Sequence, residues 1–379
     1  MQVSQQIRDA TPRQMAREQI SRYIAKRRAQ RGDKLPTYAE FCTMLGFSLL
    51  TVQRAMGDLA KQGLVYRLHG KGCYVGKVSK ASVGSLRRIG LIHNASLSNL
   101  IDEPYLNQLL SGILSACAKR SIDLTILSLS KDKESRELAQ ELTSQHDALV
   151  LIGIVNADYV RRLIKTELPL VLVDSRFTSL AIDTVVVDNQ GAVQAELDAL
   201  IALGHRRIAY VGARTPDPLT GKLIESSDDV ERREAYVAGM TGSGLAAEIR
   251  LLENPENRRL PWPGLLELVK GPEAPTAYLA TSAGLALDLH RRLSAEGIVV
   301  PDAVSLAGAA GVAADVAAST IDLDYGRVDF RAMGVAAIET LEKRCGPKAP
   351  AEPLLVRIGV ERVRGRSLVA PASGGRHPG

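Results

Sequence analysis

The sequence predicts an α/β chain in two parts: a small basic head of helices with one hairpin, and a long body of two lobes, each a doubly wound parallel sheet. Three observations carry that expectation. Residues 35–75 hold two short amphipathic helices followed by a glycine-turned hairpin. From residue 88 onward, short apolar strands alternate with amphipathic helices. Charge divides between the parts: residues 1–88 hold 17 Lys and Arg against 5 Asp and Glu, a surplus of +12, whereas the remainder holds 31 against 37, a deficit of −6. A polyanion partner is therefore expected at one end only.

The chain of 379 residues, 45% hydrophobic, suits two or three domains. The expected divisions are a head at 1–77, a linker at 78–87, a body at 88–370 and a loose tail at 371–379. Within the head, residues 1–12 have no periodicity. Residues 13–30 place Ala16, Ile20, Tyr23 and Ile24 on one helix face and Arg17, Arg22, Lys26, Arg27 and Arg28 on the other. A shorter helix at 38–45 carries Ala39, Cys42 and Leu45 on one side, and Gly46 turns the chain. Next, Val52, Ala55, Met56 and Leu59 fall at i, i+3, i+4 and i+7, leaving Gln53, Arg54, Asp58 and Lys61 on a free face. Ser48 stands at the N-cap and Gly63 at the C-terminal stop. Short strands at 64–67 and 73–75 flank the turn His69-Gly70-Lys71-Gly72. A groove-entering helix followed by a basic hairpin is a winged helix-turn-helix, and its expected partner is a double-stranded DNA operator. Thr51, Gln53 and Arg54 on the helix and His69 and Lys71 in the wing are the expected base or phosphate readers.

The head resembles the DNA-binding domain of GntR-family regulators. Leu35-Pro36, Leu45-Gly46, Ser48, Thr51-Val52, Arg54, Gly63-Leu64-Val65 and Gly70-Lys71-Gly72 fill that family's pattern over about forty residues. The resemblance implies DNA contacts at Thr37, Ser48 and Gly70 as well. Two departures stand out: Thr37-Tyr38-Ala39 replaces a serine-glutamate-arginine run, and Leu49 replaces an arginine. An operator of its own is the consequence.

The body begins after the Ser-, Gly- and Lys-rich linker. Strands are expected at 89–93, 123–129, 148–154 and 170–173, with helices at 105–120, 135–145 and 158–166 between them. A second set runs strand 184–187, helix 190–203, strand 207–211, helix 230–242, strand 249–252, helix 263–270, strand 276–280, helix 283–295 and strand 304–307. In such sheets ligands bind beyond the carboxyl ends of the strands, and two lobes place the site in the cleft between them. No Walker motif and no GxGxxG follows a strand. Asp228-Asp229, in ESSDDVERR, is read as the acidic start of a helix rather than a catalytic pair.

The body resembles the periplasmic-binding-protein-like effector domain of LacI/GalR-type repressors, over about 280 residues. Val187-Asp188-Asn189, Gly191-Ala192, Leu203-Gly204-His205-Arg206-Arg207-Ile208 and the run from Gly297 to Ser305 carry the likeness. Ser319-Thr320-Ile321-Asp322 with Met333-Gly334 corresponds to that group's lobe-crossing segment and following helix. The resemblance implies a small effector, a sugar or sugar derivative, and ligand contacts at Tyr105, Arg232 and Ser282, with Arg233 the nearest alternative to Arg232. Asp174 and Arg176, at the end of the fourth strand, are further cleft candidates, and His205 is expected to be structural. The group's asparagine-aspartate pair falls on Ser282-Ala283 and its acidic pair on Ala310-Gly311, so two usual anchors are missing. That leaves an unusual sugar, a sugar acid met by Arg232, a less polar ligand, or an empty degenerate cleft.

Cys42, Cys73, Cys117 and Cys345 form no CxxC pair, and the six histidines show no HxxxH or HxH spacing. Neither a disulfide framework nor a metal site is expected, and no cofactor is. The polar start MQVSQQIRDA and the absence of a long apolar run point to the cytoplasm and away from membranes. The expected molecule is a ligand-responsive, non-enzymatic transcriptional repressor acting as a homodimer. Its rivals are a pyridoxal-phosphate enzyme fused to such a head and a ligand-independent DNA-binding protein.

Overall fold

The structure is a computed structural model that describes residues 11–27, 33–61, 64–68, 72–75, 86–93, 103–128, 142–212, 215–217, 219–253, 262–271, 273–346 and 349–372. The chain divides into two compact units, Met1–Ser85 and Leu86–Gly379. Residues 78–85 of the expected linker and 135–141 of the expected helix at 135–145 lie outside the described residues.

The head is α1 (Pro12–Lys26), α2 (Tyr38–Leu45), α3 (Leu49–Lys61) and an antiparallel hairpin of β1 (Val65–Leu68) and β2 (Gly72–Val75). Helix α2 starts at a capping box: Thr37 Oγ1 accepts from the Glu40 amide at 3.2 Å, and the Glu40 carboxylate accepts from the Thr37 amide at 2.6 Å. It stops at Gly46, whose φ of 72° is a conformation open to glycine. The stripe Val52, Ala55, Met56 and Leu59 is no more than 2% exposed and closes on Ala16, Ile20, Phe41 and Val65. Asp58, expected on the free face, instead accepts from Arg13 Nε at 2.6 Å and ties α3 to α1.

The body holds two six-stranded sheets. The first runs β15 (Leu355–Ile358), β7 (Asp183–Val187), β6 (Leu170–Val173), β5 (Ala148–Ile152), β3 (Arg88–His93) and β4 (Asp123–Ser128), all parallel. The second runs β11 (Arg250–Leu252), β8 (Ile208–Val211), β12 (Ala277–Ala280), β13 (Ser305–Gly311), β14 (Asp324–Val328) and β16 (Val360–Val363), of which only β16 is antiparallel to its neighbour. The strand expected at 184–187 in the second set therefore lies in the first sheet instead, between β6 and β15. A strand covered on both faces carries the same Val-rich signature in either sheet, so its sequence does not say which one it joins.

Helices α4 (Pro104–Lys119) and α5 (Ala157–Ile164) cover the first sheet together with α11 (Phe330–Cys345), which comes from far along the chain. Helices α4 and α11 meet backbone to backbone. A Cβ on Gly112 would stand 2.1 Å from the Arg331 carbonyl oxygen, and one on Gly334 would stand 2.2 Å from that of Leu109. The second sheet is covered by α6 (Asn189–Ala202), α7 (Ser227–Gly242), α8 (Trp262–Lys270) and α9 (Ala283–Ala295). A short hairpin, β9 (Thr215–Pro216) with β10 (Leu223–Ile224), leads into α7; α7 starts three residues earlier than expected, at a Ser226–Asp229 capping box.

The chain crosses between sheets three times, at Asp188, Asp329 and Gly359, each crossing a single residue between flanking elements. Asp188 and Asp329 have nearly the same backbone angles (φ −73°, ψ 78° and φ −85°, ψ 81°), and each caps the helix that follows. The crossing expected at 319–322 thus lies later, at Asp329; residues 319–322 turn ahead of β14.

Two polar devices sit in the second lobe. His205, 1% exposed, is held by Thr276 Oγ1 at 2.8 Å, Ser305 Oγ at 3.1 Å and the Val369 carbonyl at 2.8 Å, and so pins the C-terminal segment to the sheet. Burial holds its imidazole below the ordinary value, consistent with the expected structural role. Glu196 of α6 and Asp324 of β14 share Arg362 of β16, which donates at 3.1 Å and 2.6 Å. Burial and the neighbouring Asp324 push the Glu196 carboxyl up to about 9. Because that lies above the ordinary 4.5, unfolding releases a proton between the two values, and the group subtracts stability as pH rises through that window. Glu196→Gln is expected to flatten the fall of melting temperature between about pH 6 and 9; an unchanged slope would show that Glu196 is ionised in the folded chain.

Candidate functional site

In the head, α3 begins where Ser48 Oγ accepts from the Thr51 amide at 3.3 Å, and the two hydroxyls lie 2.8 Å apart. Thr37 and Ser48 are thus both engaged in caps while remaining exposed. Gln53 and Arg54, one turn further, are exposed and make no hydrogen bond or ion pair among the described residues. Arg67 on β1 stacks over Tyr38 at 5.8 Å, and Tyr66 stacks on Tyr74 across the hairpin at 5.4 Å. The hairpin is thereby stiffened and tied to α2. His69, Gly70 and Lys71 at its tip lie outside the described residues.

In the body, the carboxyl end of β6, the start of α6, the start of α7 and the end of β12 bring a polar knot together. Arg232 of α7 is 9% exposed; its Nε donates to Asn189 Oδ1 at 2.7 Å and its Nη1 to the Thr281 carbonyl at 3.0 Å. Asn189 in turn donates to Asp228 and Glu231, each at 3.1 Å. Glu231 also takes Arg176 at 3.1 Å and Arg357 at 3.5 Å, both from the first lobe. One carboxylate of the second lobe therefore holds two guanidinium groups of the first. Arg176 is anchored again through its amide, which donates to Ser227 Oγ at 3.0 Å.

Asp174 lies against Asp228 and Arg232, in the left-handed conformation (φ 57°) that costs a non-glycine residue energy. Burial and the Asp228 carboxylate hold its carboxyl well above the ordinary range, with Arg232 pulling the other way. Nearby, the hydroxyls of Tyr210 and Thr281 are buried and face each other.

Of the expected ligand residues, Asp174, Arg176 and Arg232 belong to one knot. Ser282 sits beside it, next to Thr281, where it caps α9 by accepting from the Leu285 amide at 3.2 Å. Tyr105 is half-buried, its ring 5.4 Å from that of Phe330. Arg233, the alternative to Arg232, pairs outward with Glu225 and Glu253. Asn189, Thr281, Asp228 and Glu231 were not anticipated as cleft residues. Asn189 was legible in the Asp188-Asn189 pair after a strand, and Asp228 was masked by its place in a helix-starting acidic run. At one of the missing anchor positions, Gly311, there is no space for a side chain. A Cβ on Gly308 would stand 2.8 Å from Ala283 Cα, and one on Gly311 would stand 2.4 Å from Ala283 Cβ. Strand β13 packs directly on the start of α9 there.

Residues 12–75 match the model of bacterial regulatory proteins of the gntR family, and residues 197–368 match that of the periplasmic binding protein-like domain. An arabinose metabolism transcriptional repressor of Geobacillus stearothermophilus is 25% identical over 304 residues, 77% of this chain and 80% of that one. The fold is shared with a LacI family transcriptional regulator of Enterococcus faecium with bound ribose (TM-score 0.60, 19% identity, 76% of this chain and 100% of that one). It is shared too with one of Weissella paramesenteroides with bound sucrose (TM-score 0.59, 20% identity, 75% and 99%). The chain joins a GntR-type winged helix-turn-helix domain to a periplasmic-binding-protein-like domain.

Proposed function

We propose that this chain is a sequence-specific DNA-binding transcriptional repressor, a homodimer whose operator affinity is set by a small ligand, a neutral sugar or sugar derivative, in the inter-lobe cleft. The observation that carries the reading is the pairing of an exposed, unengaged Gln53–Arg54 face on α3 with a buried polar knot spanning two lobes. The knot favours a neutral polyol. Two donors of Arg232 are consumed by Asn189 and Thr281, and three carboxylates surround it. A ligand carboxylate would meet Asp174 and Asp228, whereas ligand hydroxyls donate to them. Relatives that repress arabinose metabolism or hold ribose and sucrose support the same class.

The coupling follows from linkage: a ligand that binds one inter-lobe arrangement better shifts the population toward it, and only by that difference in affinity. Glu231 is the residue such a shift would disturb, because its two first-lobe partners must move for the lobes to swing.

In gel-shift titration, Arg54→Ala is expected to lower operator affinity about tenfold or more without lowering the melting temperature; equal affinity would remove Arg54 from the reading face. A thermal-shift screen of the full chain against neutral sugars and sugar acids is expected to give a shift with a neutral member; a response to acids alone would overturn the neutral class. Asp174→Asn is expected to raise the melting temperature of the ligand-free chain at neutral pH by about 2–4 °C. The amide removes a carboxylate held above its ordinary range and suits the left-handed backbone, and the same change should abolish the sugar-induced shift. A variant that is less stable than the parent would show that Asp174 is a structural ion.

A further inference from the structure

Two features of α3 have no use inside the head. Leu49 and Leu50, in its first turn, are 51% and 55% exposed, although leucine is among the residues most often buried. Gly57, two turns on, is exposed in mid-helix with nothing within 4 Å of where a Cβ would stand. Glycine is a poor interior helix residue, and no neighbour among the described residues requires it here.

The register joins these features to the reading face. Leu50, Arg54 and Gly57 lie on the side of the helix opposite the buried stripe, and Leu49 and Gln53, one helical turn apart, border that side where it meets the stripe. The apolar pair lies at the N-terminal turn, the part of a recognition helix that meets base edges. Exposed Arg54 and Arg67, and the +12 surplus of residues 1–88, surround it with charge complementary to a polyanion. On base edges of the major groove the apolar group is the thymine 5-methyl. A missing side chain, in turn, lets a helix backbone approach a partner closely.

We propose that Leu49 and Leu50 read thymine methyl groups, and that Gly57 lets α3 seat closely in the groove. The operator half-site then carries thymines beside the bases met by Gln53 and Arg54. This rests on the DNA-reading function proposed above.

The test selects bound duplexes from a random pool with the full chain and replaces each selected thymine in turn by deoxyuridine, which lacks only the methyl. At one or two positions in each half-site, affinity should fall about fourfold per methyl. Leu49→Ala or Leu50→Ala should bind the thymine and deoxyuridine forms of its own position alike, an outcome that a role in folding would not produce. Gly57→Ala should raise the melting temperature yet weaken DNA binding. Equal binding of all deoxyuridine and thymine sites by the parent chain would overturn the methyl reading, and unchanged DNA affinity in Gly57→Ala would overturn the close seating. Recovery of no bound duplex at all would instead overturn the DNA-reading function, and this inference with it.

Discussion

Glu231 is the constraint on which the arrangement of the body depends. Its carboxylate faces Arg176 and Arg357 from the first lobe and Asn189 from the start of α6. A half-buried carboxylate with three donors is well satisfied, and removing one partner leaves the rest under-compensated. The spacing of the lobes at this edge therefore follows from one side chain. The β9–β10 hairpin adds a second tie, because Asn156 at the start of α5 donates to Asp217 at 3.0 Å, and Leu219 packs with first-lobe apolar residues.

The head solves a different problem with the same economy of contacts. Four stripe residues, the Ser48 cap and the Arg13–Asp58 pair fix α3, so the exposed Gln53–Arg54 side of the helix is left without structural duties. That separation is why replacement of an exposed α3 residue tests recognition rather than folding. It also explains how departures from the GntR pattern at Tyr38 and Leu49 leave the fold intact: Tyr38 packs under Arg67, and Leu49 touches solvent.

Much of the fold was legible because its signals are local. The 3.6-residue stripe of α3, the Ser48 cap and the fully apolar strands β5, β6, β8 and β12 lie within single windows of sequence. What was not legible depends on distant partners. Nothing in Asp183–Val187 says that it pairs with Leu355–Ile358, and two-residue strands such as Thr215–Pro216 leave no periodicity to detect. Strand β13 was expected to end at Ala307 but runs to Gly311, because Gly and Ala have low strand propensity and extend it only through packing on Ala283. In the cleft, Arg232 and Asp174 stood out by type and position. The knot joining them to Asn189 and Thr281 spans 107 positions of the chain, from Asp174 to Thr281, beyond any spacing rule.

The three single-residue crossings have a mechanical meaning. Lobes joined by one strand of chain could slide, twist and separate; joined at Asp188, Asp329 and Gly359, with the Asp188 amide donating to the Ile358 carbonyl at 2.9 Å, they share a seam. A seam resists shear and leaves rotation about its own line as the soft motion, much as a stitched spine lets covers open but not slip. A ligand that favours one arrangement of the two lobes then acts on a single angle, the opening of the body about that line.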